Sequence, residues 1–179
     1  MAMTTVLLAV LLLTGSPTPA PKASPAQAPK ASPAQAPKSL EPCALVTGAE
    51  VATLAGVKVG AGQAGHIPQT GQLTCKYQWK EKDLVATLEI SLGEVSKMLP
   101  GADAAMIKSM MVGETKHGSS PTPISDVGEA AAYKQNSPHS GYAAAFLKGK
   151  ILELTYNGAD SAAKKDRLIA LLKAAAARV

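Results

Sequence analysis

Residues 42–179 predict a single α+β domain, an antiparallel sheet of about five strands packed against two or three helices. Three observations carry that expectation. Leu73, Cys75, Tyr77 and Trp79 alternate with Thr74, Lys76, Gln78 and Lys80, and Leu84, Ala86, Leu88, Ile90 and Leu92 alternate with Val85, Thr87, Glu89 and Ser91. That period of two marks a pair of half-buried strands. A second pair, Tyr142–Lys148 and Ile151–Tyr156, flanks Gly149-Lys150, residues of the kind primed hairpin turns prefer. Apolar residues at helical spacing lie near the start of the domain (Val51, Leu54, Ala55) and at its end (Leu168, Leu171, Leu172, Ala175, Val179). Neighbouring strands in sequence imply antiparallel pairing, with the helices covering one face.

The first 16 residues read as a leader. Val6–Leu13 is apolar but far short of the roughly 20 residues that span a bilayer, so it fits the apolar region of a signal peptide rather than a transmembrane helix. Met1–Thr5 carries no lysine or arginine, which points to a translation start further upstream. Residues 17–41 read as a linker. Ala20-Pro21-Lys22-Ala23-Ser24-Pro25-Ala26-Gln27 recurs unchanged as Ala28–Gln35, and a third copy begins at Ala36. Proline at this density removes amide donors and favours extended polyproline II, giving a reach of up to roughly 80 Å. Such a spacer can hold a domain clear of a membrane or thread a cell wall. Its three lysines also account for the basic balance, because the rest of the chain has 15 basic side chains against 13 acidic. With no basic run and little aromatic interleaving, nucleic-acid binding is not expected.

Cys43 and Cys75 are the only cysteines, and behind a leader they read as one disulfide. Closing a loop of about 30 residues stabilises by roughly 3 to 4 kcal/mol on the chain-entropy estimate. Neither a C-x-x-C pair nor a histidine at ligand spacing accompanies them, so no metal site is expected. Between them, Thr47-Gly48-Ala49-Glu50 fits a capping box that starts a short helix, and Gly56 is a natural stop.

These residues carry a resemblance. Pro42-Cys43-Ala44-Leu45-Val46-Thr47-Gly48-Ala49-Glu50-Val51, a second cysteine before a strand-like run, Ile124-Ser125-Asp126-Val127-Gly128-Glu129-Ala130 and an Ala/Leu-rich terminal helix occur in order. Together they resemble a domain-of-unknown-function family of small secreted bacterial lipoproteins that opens on a PCxLLTxxEV motif. The resemblance spans nearly all of residues 42–179. It implies an exported α+β domain with one disulfide, supplies no catalytic residue, and marks Gly128 as a position needing close approach or positive φ. The chain departs from the family at Ser16, which stands where such lipoproteins have the cysteine that accepts the lipid.

Several further stretches bear on chemistry. Val57–Gln72 is Gly-rich without a period and reads as a loop or edge excursion. Tyr77 and Trp79 could stack on a sugar, but they share the face of Cys75, which favours core packing. Gly93–Gly113 reads as helical, broken at Leu99-Pro100, and its methionines (Met98, Met106, Met110, Met111) fit an apolar stripe better than a soft-metal site or an adaptable groove. Pro121 and Pro123 force a loop. His66, His117 and His139 fall in loop-like segments with no paired spacing. Asp160 or Ser161 is placed to cap the last helix, and Arg178 suits its C-terminal dipole.

The expected function is therefore an exported, non-enzymatic envelope domain that binds a protein or small ligand, with Tyr133, Tyr142 and Tyr156 as candidate contacts on a concave sheet face and cell-wall contact through the linker. No catalytic residue, metal ligand or cofactor is nominated. The alternatives are an envelope hydrolase built on His117 or His139 and a structural or assembly accessory subunit.

Overall fold

The structure, a computed structural model, describes residues 40–113 and 120–179, all within the compact unit Pro37–Val179. The leader, nearly all of the linker and His117 lie outside the described residues. Among those residues no helix is long and apolar enough to cross a membrane.

Proline at the first position starts a one-turn helix, α1 (Pro42–Leu45), and the chain then re-enters a helix at α2 (Gly48–Ala55). The capping box forms as its spacing predicts: the Glu50 amide donates to Thr47 Oγ1 at 3.3 Å, and the Thr47 amide to Glu50 Oε2 at 2.8 Å. Gly56, in the left-handed region, ends the helix by donating to the Ala52 carbonyl. The Cys43–Cys75 disulfide pins α1 to the sheet.

The sheet has seven strands, not five. They are β1 (Gln63–Ile67), β2 (Gln72–Glu81), β3 (Leu84–Glu94), β4 (Thr122–Pro123), β5 (Ala130–Ser137), β6 (Ser140–Leu147) and β7 (Lys150–Asn157). They lie in the order β1-β2-β3-β7-β6-β5-β4, every neighbouring pair antiparallel. The two extra strands are the edges. In β1 Gln63 to His66 are exposed, so burial imposes no alternation on its sequence. In β4 only two residues pair, and Pro123 is tolerated because an edge strand need not donate outward.

Two tight hairpins fix the register. Glu81 pairs with Leu84 across Lys82-Asp83, and Leu147 pairs with Lys150 across Lys148-Gly149. The second turn sits one residue earlier than Gly149-Lys150. Lys148 and Gly149 have φ of 48° and 79°, the two left-handed residues a type I′ turn requires. Gly128 has φ 56°, and a Cβ there would collide with the Phe146 carbonyl and the Leu147 side chain, so both close approach and positive φ hold at this glycine.

Helices lie on both faces rather than one. Against the first face pack α1, α2 and the terminal helix α5 (Lys165–Ala176), burying Val51, Leu54, Cys75, Tyr77, Leu88, Ile90, Leu152, Leu154, Leu168 and Leu172. Asp160 and Ser161 do not cap α5 with a side chain. The chain makes a 3-10 turn over Ser161–Lys164 first, and the helix begins at Lys165. Past the end of α5, Arg178 reaches back to Glu50 with contacts of 2.6 and 3.0 Å.

The second face is covered at one end only. β3 runs through Glu94, and a single turn, α3 (Val95–Met98), leads across Leu99-Pro100 to α4 (Ala104–Val112). Asp103 caps α4 by accepting from the Met106 amide at 2.7 Å. A small second core of Val95, Ile107, Phe146 and Ile151 lies beneath it.

Candidate functional site

Antiparallel register puts one rung of side chains across the second face: Ala132, Ala144, Glu153, Ser91 and Thr74 are successive cross-strand partners on β5, β6, β7, β3 and β2. Strand alternation makes these the partners of one face. Where this rung passes out from under α4, a cavity of about 320 Å³ opens. Met98, Leu99, Ile107, Met110, Met111 and Pro121 form its apolar walls, and Ala132, Ala144, Tyr142, Ile151 and Glu153 its floor. Thr70 and Lys134 border it.

Of the four methionines on this segment, Met98 and Met111 pack against the second core and Met106 and Met110 do not. Ile107 takes the position that faces the sheet and is 1 % exposed, whereas Met106 and Met110 are more than half exposed. A helix of nine residues with a single buried position leaves its flanking side chains over the cavity. Unbranched, polarizable thioethers suit such a wall because they can repack around different shapes.

Glu153 is the polar centre of the floor. Its Oε1 accepts from the Tyr142 hydroxyl at 2.7 Å, and its Oε2 accepts from the Ser91 hydroxyl at 2.9 Å and the Gln72 amide at 3.4 Å. Thr70 donates to Gln72 Oε1 at 2.9 Å, which orients that amide with its N–H toward the carboxylate. Burial first, and the facing Glu153 carboxylate second, raise the Tyr142 phenol above its ordinary value, so it stays a donor. Among the described residues no lysine, arginine or histidine pairs with Glu153.

Of the three tyrosines expected to share a ligand face, only Tyr142 presents its side chain to the cavity. Tyr156 is wholly buried on the opposite face, stacked on Trp79 with ring centroids 6.1 Å apart. Its hydroxyl donates to Glu81 and the Ala159 carbonyl at 2.7 and 2.8 Å. Tyr133 lies on the strand bordering the cavity, but its ring belongs to the first face, where Lys165 of α5 stands 5.3 Å from the centroid. Parity separates the three: Tyr133 and Tyr156 align with Ala143 and Leu88, positions of the first core, while Tyr142 aligns with Thr155. Tyr77 and Trp79 are core residues, 2 % and 6 % exposed.

The two described histidines do not converge. His66 is exposed on edge strand β1, and His139 is exposed in the turn between β5 and β6, with β2, β3 and β7 between them. Among the described residues no three His, Cys, Asp or Glu side chains gather as metal ligands.

Glu153, Ser91 and Gln72 carried no motif in the sequence. Alternation does put Glu153 on the face opposite Leu152 and Leu154, and the one acid of the strand, set between two buried leucines, is the signal that finds it. Its partners lie 62 and 81 residues away and are visible only through the register. No family model, curated protein or solved structure matches the chain.

Proposed function

We propose that this is an exported binding domain that takes a small amphipathic ligand into the cavity between α4 and the sheet and does not transform it. The observation that carries the proposal is the cavity itself, with flexible apolar walls, a volume of about 320 Å³ within the range of small-molecule sites, and one preorganised polar group on its floor. The disulfide supports export, since such bonds persist in oxidising compartments. The likeness of the Pro42–Val51 segment to small secreted lipoproteins supports it too. Binding is favoured over hydrolysis because Ser91 is engaged with a carboxylate, and among the described residues no histidine lines the cavity to act as its base.

The test is titration with N-phenyl-1-naphthylamine, a neutral apolar reporter whose fluorescence rises on leaving water. The wild-type domain should bind one equivalent saturably. Ala144→Leu, which fills the floor without touching the first core, should weaken binding at least tenfold while circular dichroism stays unchanged. Saturable binding that survives Ala144→Leu undiminished would place the ligand elsewhere and refute the proposal.

A further inference from the structure

Resting on that reading, we infer that Glu153 makes the cavity selective for a cationic amphiphile, a small molecule carrying an amine on an apolar body. The carboxylate lines the cavity and is held in place by three neutral donors, Tyr142, Ser91 and Gln72. Neutral donors orient a charge without cancelling it. A half-buried carboxylate with no ionic partner among the described residues gains more from an incoming cation than an exposed one does, because water screens it less.

Among the described residues, the other charges on this face do not supply that partner. Lys134 borders the cavity on β5 but stands on the next rung, aligned with Tyr142, and makes no ion pair with Glu153. Glu89 and Lys76 are cross-strand partners of each other on the rung that carries Thr155, and Lys108 of α4 pairs with Glu129 at 3.3 Å. The soft walls of Met98, Met110 and Met111 and the face of Tyr142 suit the apolar body and the flank of an ammonium group.

Three probes sharing a naphthylmethyl body separate the possibilities: 1-naphthylmethylamine, 1-naphthylmethanol and the larger 1-naphthylacetate, each measured by displacement of the neutral reporter and directly by calorimetry at pH 7. The amine is expected to bind the wild-type domain at least tenfold more tightly than the alcohol, with the acid weakest. Glu153→Gln, nearly the same shape without the charge, should bring the amine-to-alcohol ratio close to one. Equal affinities for amine and alcohol in the wild type overturn the inference whatever the variant does. Preference for the acid also overturns it and makes Lys134 the selecting charge. In both cases saturable reporter binding leaves the binding function standing. Failure of the reporter and of all three probes to bind in the calorimeter sinks both.

Discussion

Reduction of the Cys43–Cys75 bridge should destabilise the domain by about 4 kcal/mol. The bond closes a loop with a sequence separation of 32. For a loop of that length the unfolded chain gains roughly 12 cal/mol/K on release, which is about 3.7 kcal/mol at 25 °C. At about 3 °C per kcal/mol for a domain of this size, the melting temperature should fall by roughly 10 to 12 °C. The assay is thermal unfolding by circular dichroism with and without reductant, with intact mass confirming the gain of two hydrogens. The double variant C43A/C75A should fall further, because Cys75 is wholly buried and losing its sulfur leaves a void among core side chains. A fully reduced protein that melts within about 2 °C of the oxidised one would refute the loop argument. A drop confined to the alanine variant would assign the stabilisation to sulfur packing instead.

Two further perturbations test the frame of the domain. Hydrogen bonding from Arg178 first, and then from Thr47, holds the Glu50 carboxyl down to about 2 from an ordinary 4.5, against an opposing push from burial. With the folded value depressed, the stability this pair contributes is complete above pH 4.5 and is lost as pH falls toward 2. The pair is solvent-screened, so Arg178→Ala should cost about 1 kcal/mol at pH 7, and urea titrations should find that gap closing near pH 2. A gap that persists there would credit the contact from Arg178 to the Leu45 carbonyl rather than the charge. The second perturbation compares two glycines with positive φ. Gly128→Ala meets the Phe146 carbonyl and Leu147, whereas Gly149→Ala meets nothing within 4 Å. The first should cost about 2 to 3 kcal/mol and the second about 1, read from urea midpoints, and equal losses would refute the steric argument.

Legibility in the sequence followed burial. The strands whose two faces see different surroundings, β2, β3 and β7, wrote alternation into the chain and could be placed, and β6, buried on both faces over Ala143–Leu147, could be placed from the turn that joins it to β7. The Thr47 capping box and Gly56 stop were readable because they are local chemistry, closed within a few residues. β1 and β4 were not readable, since an exposed edge strand has no side to prefer and its existence rests on β2 or β5 already being there. The cavity stayed hidden for a related reason. Glu153, Ser91 and Gln72 meet only once β7 docks beside β3, and nothing within a dozen residues of any of them announces the others.

The two faces of the sheet also explain why a cavity exists at all. On the first face β2, β3, β5, β6 and β7 contribute buried apolar groups, among them Tyr77, Leu88, Tyr133, Leu147 and Leu154, and α1, α2 and α5 cover them. On the second, β2 and β3 present Thr74, Lys76, Gln78, Thr87 and Glu89, which need no cover, while β5, β6 and β7 present Ala130, Ala132, Ala144, Phe146 and Ile151, which do. α4, at about 1.5 Å per residue, extends only about 14 Å and seats Ile107 over Phe146 and Ile151. The next rung is left with two alanines and a carboxylate. Larger side chains at Ala132 and Ala144 would have closed the gap against Met110 and Met111, and with them the Glu153 charge would have been buried with no route for a counter-ion. Small residues on that rung keep the carboxylate reachable from solvent, so the same positions that forgo packing contacts give the domain a place where an apolar body and a cation can be held together.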